Sequence, residues 1–101
     1  MNNIHYWVQE CIPLRLDTYY TAALEAAGFT ILDKVEHFFN PQGWTALYLL
    51  AESHLAIHTF PEQGKAYVEL SSCVDKPFTE FIKHIATDIR EKTLFFPCVA
   101  L

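Results

Sequence analysis

A chain of 101 residues that is 51% hydrophobic, 15% aromatic and 19% charged has the apolar material for one folded domain over 1–101, and its composition excludes disorder. Seven basic residues face twelve acidic ones for a net charge of -5, and Lys83, Arg90 and Lys92 are the nearest approach to a basic cluster, which excludes a phosphate-tracking surface for nucleic acid. No apolar run reaches bilayer length, the first residues lack the order of a secretion signal, and Cys11, Cys73 and Cys98 lack metal-site spacing, so the expectation is a cytoplasmic protein with free thiols, no metal and no membrane partner.

In chain order, residues 4–12 are rich in aromatic and branched side chains and predict a first strand. Asp17 is placed to cap a helix over 17–27, with Leu16, Tyr20, Ala23, Leu24 and Ala27 as its apolar stripe and Gly28 at its end. A second strand is predicted over 29–38, then a turn at Asn40, Pro41, Gln42 and Gly43. The almost continuously apolar run 44–51 predicts a strand covered on both faces. A hairpin follows, 54–60 and 65–73 joined through Pro61, Glu62, Gln63 and Gly64. A second helix opens near Asp75 with Pro77 in its first turn, and Phe78, Phe81, Ile82, Ile85 and Ile89 form its buried stripe. Residues 93–101 complete the chain as a short strand. The order β-α-β-β-β-β-α-β predicts an α+β two-layer sandwich, a mainly antiparallel sheet with two helices on one face.

Pairing Phe60 with Lys65 across the hairpin loop sets His58 beside Tyr67, Ala56 beside Glu69 and His54 beside Ser71. One face of the hairpin is then apolar (Leu55, Ile57, Thr59, Ala66, Val68 and Leu70). The other collects His54, His58, Tyr67, Glu69 and Cys73, including two imidazoles and a thiol, the side-chain types suited to proton transfer.

Glu52-Ser53-His54, then Ile57-His58-Thr59-Phe60-Pro61-Glu62, then Ser72-Cys73 resemble the bacterial and archaeal S-adenosylmethionine decarboxylase proenzymes, most strongly over 37–73. The resemblance implies self-cleavage between Glu52 and Ser53. A serine hydroxyl attacks the carbonyl before it to give an ester, and elimination and hydrolysis leave a pyruvoyl cofactor derived from Ser53 at the new N-terminus. A serine needs an activating neighbour for this, and the resemblance makes His58 the proton-transfer residue. Thr45 stands where the family has an assisting serine; it keeps the hydroxyl but adds a methyl that restricts its rotamer.

The ketone then serves as an electron sink for decarboxylation, and the resemblance makes Cys73 the proton donor to the product carbon. By itself Cys73 reads as a small buried hydrophobe. Phe39 matches an adenine-stacking aromatic and Glu62 a ribose-binding carboxylate; a second stacking residue is expected from Tyr6, Trp7 or Val8. Phe60 replaces a usual Trp, Val74 a common Gly, and Lys65 and Tyr67 also depart from the pattern. The implied function is production of the decarboxylated aminopropyl donor of polyamine synthesis. The alternatives are decarboxylation of a basic amino acid such as ornithine or arginine, suggested by the altered pocket residues, and an unprocessed binding-only homologue, suggested by Thr45. The uncovered sheet face and the small size predict a homodimer, and the resemblance implies that two such sheets pair face to face as a four-layer αββα assembly with each pocket lined in part by the partner.

Overall fold

The computed structural model describes the backbone of residues 1–90 and the side chains through residue 88. Ile89 of the helical stripe, Cys98 and the strand expected over 93–101 lie outside these described residues. Five strands, β1 (Asn2–Val8), β2 (Ile31–Phe38), β3 (Trp44–Leu50), β4 (Ser53–Phe60) and β5 (Lys65–Ser72), form an antiparallel sheet in the order β1-β5-β4-β3-β2. Two helices, α1 (Pro13–Ala27) and α2 (Asp75–Arg90), pack against each other and complete the expected α+β sandwich.

The core is the predicted one. Leu16, Tyr20 and Leu24 of α1 and Phe81 and Ile85 of α2 lie buried with Tyr48, Leu55, Ile57, Val68 and Leu70 of the sheet. Each large apolar side chain so buried contributes about 1.5–3 kcal/mol before the entropy of ordering it is counted. Gly28 ends α1 with φ 104, a left-handed conformation that an L side chain resists, and the amides of the cap return to the carbonyls of Leu24 and Glu25.

Three expectations are corrected. First, β1 ends at Val8 rather than residue 12, because α1 starts at Pro13, whose fixed φ suits a first helical position. Second, Asp17 is not the cap: Ile12 holds that position, and Asp17 sits one turn in, accepting hydrogen bonds from Lys34 Nζ and Tyr48 Oη and so tying α1 to β2 and β3.

Third, among the described residues β3 is covered on one face only. Trp44, Ala46, Tyr48 and Leu50 are buried under the helices, whereas Leu47 and Leu49 are 47% and 53% exposed on the other side. The continuous apolar run therefore adds exposed apolar side chains to the second sheet face, which the described residues do not cover. Of the cysteines expected as free thiols, Cys73 is free and exposed.

The hairpin register is the expected one, with Phe60 opposite Lys65, His58 opposite Tyr67 and Ser53 opposite Ser72. Extended through the neighbouring strands, it lays rows across the helix-free face. One runs Trp7, Tyr67, His58, Thr45 and His37; the next runs His5, Glu69, Ala56, Leu47 and Val35.

Candidate active site

Two residues join β3 to β4, and the second of them, Glu52, adopts φ 59 without being glycine. A left-handed backbone costs an ordinary residue about 1–2 kcal/mol, so strain lies next to the Glu52–Ser53 peptide bond. The Glu52 carbonyl oxygen accepts a hydrogen bond of 3.1 Å from the Cys73 amide, which stands just beyond the end of β5. Ser53 is buried, and its Oγ donates to Ser72 Oγ at 2.8 Å. A cleft of about 510 Å³ opens here, lined by Leu49, Leu50, Glu52, Ser53, Ser71 and Cys73 among others. The antiparallel register brings these residues together, because it sets the first residue of β4 against the last of β5.

At the other end of the same strands, Thr45 Oγ1 and His58 Nδ1 lie 3.0 Å apart across the β3–β4 pair. The His58 ring stacks on Tyr67 at 6.4 Å between centroids, and Tyr67 meets Trp7 edge-on at 5.3 Å. Lys65 Nζ lies 4.2 Å over the Trp7 ring, within the range of a cation–π contact. Trp7 is half exposed on the helix-free face, while Tyr6 is tied to Tyr20 and Val8 is buried, so Trp7 is the accessible aromatic of the three weighed for stacking. Phe39, also half exposed, borders a second cleft of about 300 Å³ with Phe38, Gly43 and Pro61. Glu62 is exposed on the short 3-10 turn Pro61–Gln63 and lines neither cleft.

The residues singled out from sequence therefore fall into two groups. Glu52, Ser53 and Cys73 meet at one end of the sheet; Thr45, His58, Phe39 and Glu62 gather toward the other. Ser53 and His58 are five residues apart along β4, about 16 Å at the rise of an extended strand, and point to opposite faces of the sheet. Two features of the site carry no signal of their own in the sequence. Ser72 stands there only as part of a motif, although pairing Phe60 with Lys65 sets it opposite Ser53. The Trp7–Tyr67 platform beside His58 needed β1 to pair with β5, which no local pattern indicates.

Fold and site together define a two-layer α+β protein in which a serine, a free thiol and a strained turn converge at one end of the sheet. The family model described as S-adenosylmethionine decarboxylase matches residues 13–95, and the chain belongs to that family. Among its relatives, the S-adenosylmethionine decarboxylase proenzyme of Parasynechococcus marenigrum is 47% identical over 77 residues, 70% of this chain and 60% of that protein. The proenzyme of the same name from Prochlorococcus marinus is 51% identical over 65 residues, 64% of this chain and 52% of that protein. The chain thus spans between half and two thirds of the length of these relatives. The crystal structure of the adenosylmethionine decarboxylase from Aquifex aeolicus superposes with a TM-score of 0.68 at 23% identity, covering 87% of this chain and 78% of that one, a likeness of fold.

Proposed function

We propose that this chain is a proenzyme that cleaves itself between Glu52 and Ser53, turns Ser53 into a pyruvoyl group, and decarboxylates S-adenosylmethionine for polyamine synthesis in the cytoplasm. The observation that carries the reading is the Glu52 turn: a strained backbone whose carbonyl is already held by the Cys73 amide, next to a serine hydroxyl. When that hydroxyl adds to the carbonyl, the oxygen gains negative charge, and a fixed amide donor stabilises that charge without reorganising. The residues also fit the group they would generate. Ser53 opens into a cleft, so a ketone at its position is reachable, and the free Cys73 thiol lines the same cleft.

The pyruvoyl ketone supplies an electron sink for the carboxylate's departure. The chain's own residues do the rest. Cys73, whose thiol lines the cleft, returns the proton to the product carbon. Phe39 and Trp7 offer aromatic faces to a nucleobase, and Glu62 offers a carboxylate to ribose hydroxyls. His58, aligned through Nδ1 by the Thr45 hydroxyl, keeps Nε2 for proton transfer during processing.

One chain cannot bring His58 to its own Ser53 across about 16 Å of strand. A twofold dimer with the helix-free faces opposed can place the partner's copy of the Thr45–His58 end over the strand end that carries the Glu52 turn and Cys73, from which His58 would approach Ser53, whose side chain points to the helix side, around the open end of β4. The exposed Val35, Leu47 and Leu49 on that face favour such burial. Intact-mass spectrometry of the purified protein tests the processing step. Two pieces, 1–52 and 53–101, the second blocked by a pyruvoyl end, are the expected result. A single 11.7 kDa species after long incubation overturns the reading.

A further inference from the structure

We infer that Ser72 is a catalytic residue of the self-cleavage, holding the Ser53 hydroxyl in the state from which it attacks. The inference rests on the processing reading above and extends it to a residue that the motif chemistry leaves without a role. Ser72 is 1% exposed, and its hydroxyl is fully committed. It donates to the Val74 carbonyl at 2.9 Å and accepts from the Val74 amide at 3.0 Å and from Ser53 Oγ at 2.8 Å.

A serine hydroxyl has one proton and two lone pairs. With its proton spent on Val74 and one lone pair filled by the Val74 amide, Ser72 Oγ can only accept from Ser53. The Ser53 proton is thereby directed to Ser72, and among the described residues no group donates to Ser53 Oγ. Both lone pairs of the nucleophile are left uncommitted, one peptide unit from the Glu52 carbonyl that the Cys73 amide holds. The same short segment, Ser72-Cys73-Val74, thus positions both reacting partners.

The step it serves is an isomerisation. Ser53 Oγ bonds to the Glu52 carbonyl carbon, the Glu52–Ser53 C–N bond breaks, and the hydroxyl proton ends on the freed Ser53 amine, so no co-reactant is needed. A hydroxyl is too weak a base to draw the α-proton in the later elimination, which confines Ser72 to this first stage.

The test compares Ser72→Ala, Ser72→Thr and Ser72→Val with the unmodified chain, measuring cleavage by intact mass with and without hydroxylamine, which cuts the ester but not the amide. Thr and Val share one shape and differ in the hydroxyl. Ala and Val are expected to slow cleavage about tenfold to a hundredfold without rescue by hydroxylamine, and Thr to restore it to within about threefold. Cleavage of Ala and Val at the normal rate overturns the proposal, as does slow cleavage that hydroxylamine restores, since that puts the defect after the ester. If neither Ala nor Val folds by circular dichroism while Thr does, the hydroxyl is structural and the proposal also fails. An unmodified chain that never cleaves overturns the processing reading instead.

Discussion

Glu52 holds a left-handed backbone where glycine or asparagine would be unstrained. The neighbouring side chains divide the proposed work by which of their atoms is used. Ser53 contributes its hydroxyl, so Ser53→Ala should leave the chain at full length however long it is incubated, and cleavage at the same bond in that variant contradicts the mechanism. Cys73 contributes its amide to the carbonyl and its thiol to the cleft. Alanine keeps the first and removes the second. Cys73→Ala should therefore cleave as the parent does, yet lose turnover about a hundredfold or more, with the blocked end accumulating as alanine through misplaced protonation. Mass analysis of the second piece reads this directly, and a variant that turns over normally reduces Cys73 to packing.

At the scale of elements, β1 and α1 are joined by phenols. Tyr6 and Tyr20 hydrogen-bond at 2.7 Å in the core, and burial, the largest cause, pushes both hydroxyls well above their ordinary range. Tyr48, against Asp17, and Tyr19, against Asp88, are raised as well, again mainly by burial. The folded state thus retains protons that the unfolded chain releases above about pH 10. Their contribution is fully present below that pH and is lost as pH rises through the folded-state values. Stability followed by circular dichroism should fall steeply above about pH 10, with phenolate absorbance rising at the same transition. Tyr6→Phe alone leaves the buried Tyr20 hydroxyl without its partner and should cost about 1–3 kcal/mol at neutral pH. Tyr6→Phe with Tyr20→Phe should recover most of that and weaken the alkaline transition; a double variant less stable than the single would contradict this account.

For the whole molecule, the exposed Val35, Leu47 and Leu49 of the helix-free face and the split site are what the proposed dimer rests on. A charge placed on that face should separate the copies without disturbing the core. Leu49→Glu, with a side chain already half exposed, is expected to keep the fold, give a monomer by light scattering and stop cleavage. A monomeric variant that cleaves normally would show that the site needs no partner. Mixing provides the complementary check. Ser53→Ala lacks a nucleophile and His58→Ala lacks the proton-transfer imidazole, and neither should process alone. Unfolded and refolded together, they should cleave only the His58→Ala chains, about half of which pair with the other variant. No cleavage in the mixture would mean that His58 does not act across the interface.

The sequence by itself determined the order of the described elements and supplied the motif on which the proposed reacting groups rest. Helical spacing exposed the stripes of α1 and α2, and a four-residue loop set the β4–β5 register, because period-two alternation tolerates no slip of one residue. The start of α1 was less legible: Asp17 is a good capping residue by type, and its pull toward Lys34 and Tyr48 exists only once β2 and β3 lie beside the helix. The apolar run of β3 was legible as composition but not as burial, since solvent exposure depends on what the second sheet face meets. Tertiary structure alone decided that β1 lies beside β5, bringing Trp7 to Tyr67, and that Glu52 turns through a left-handed backbone with its carbonyl on the Cys73 amide. Proximity along the chain ranks residues by covalent distance, whereas an antiparallel sheet joins the first residue of one strand to the last of the next and separates residues within a strand at about 3.3 Å each.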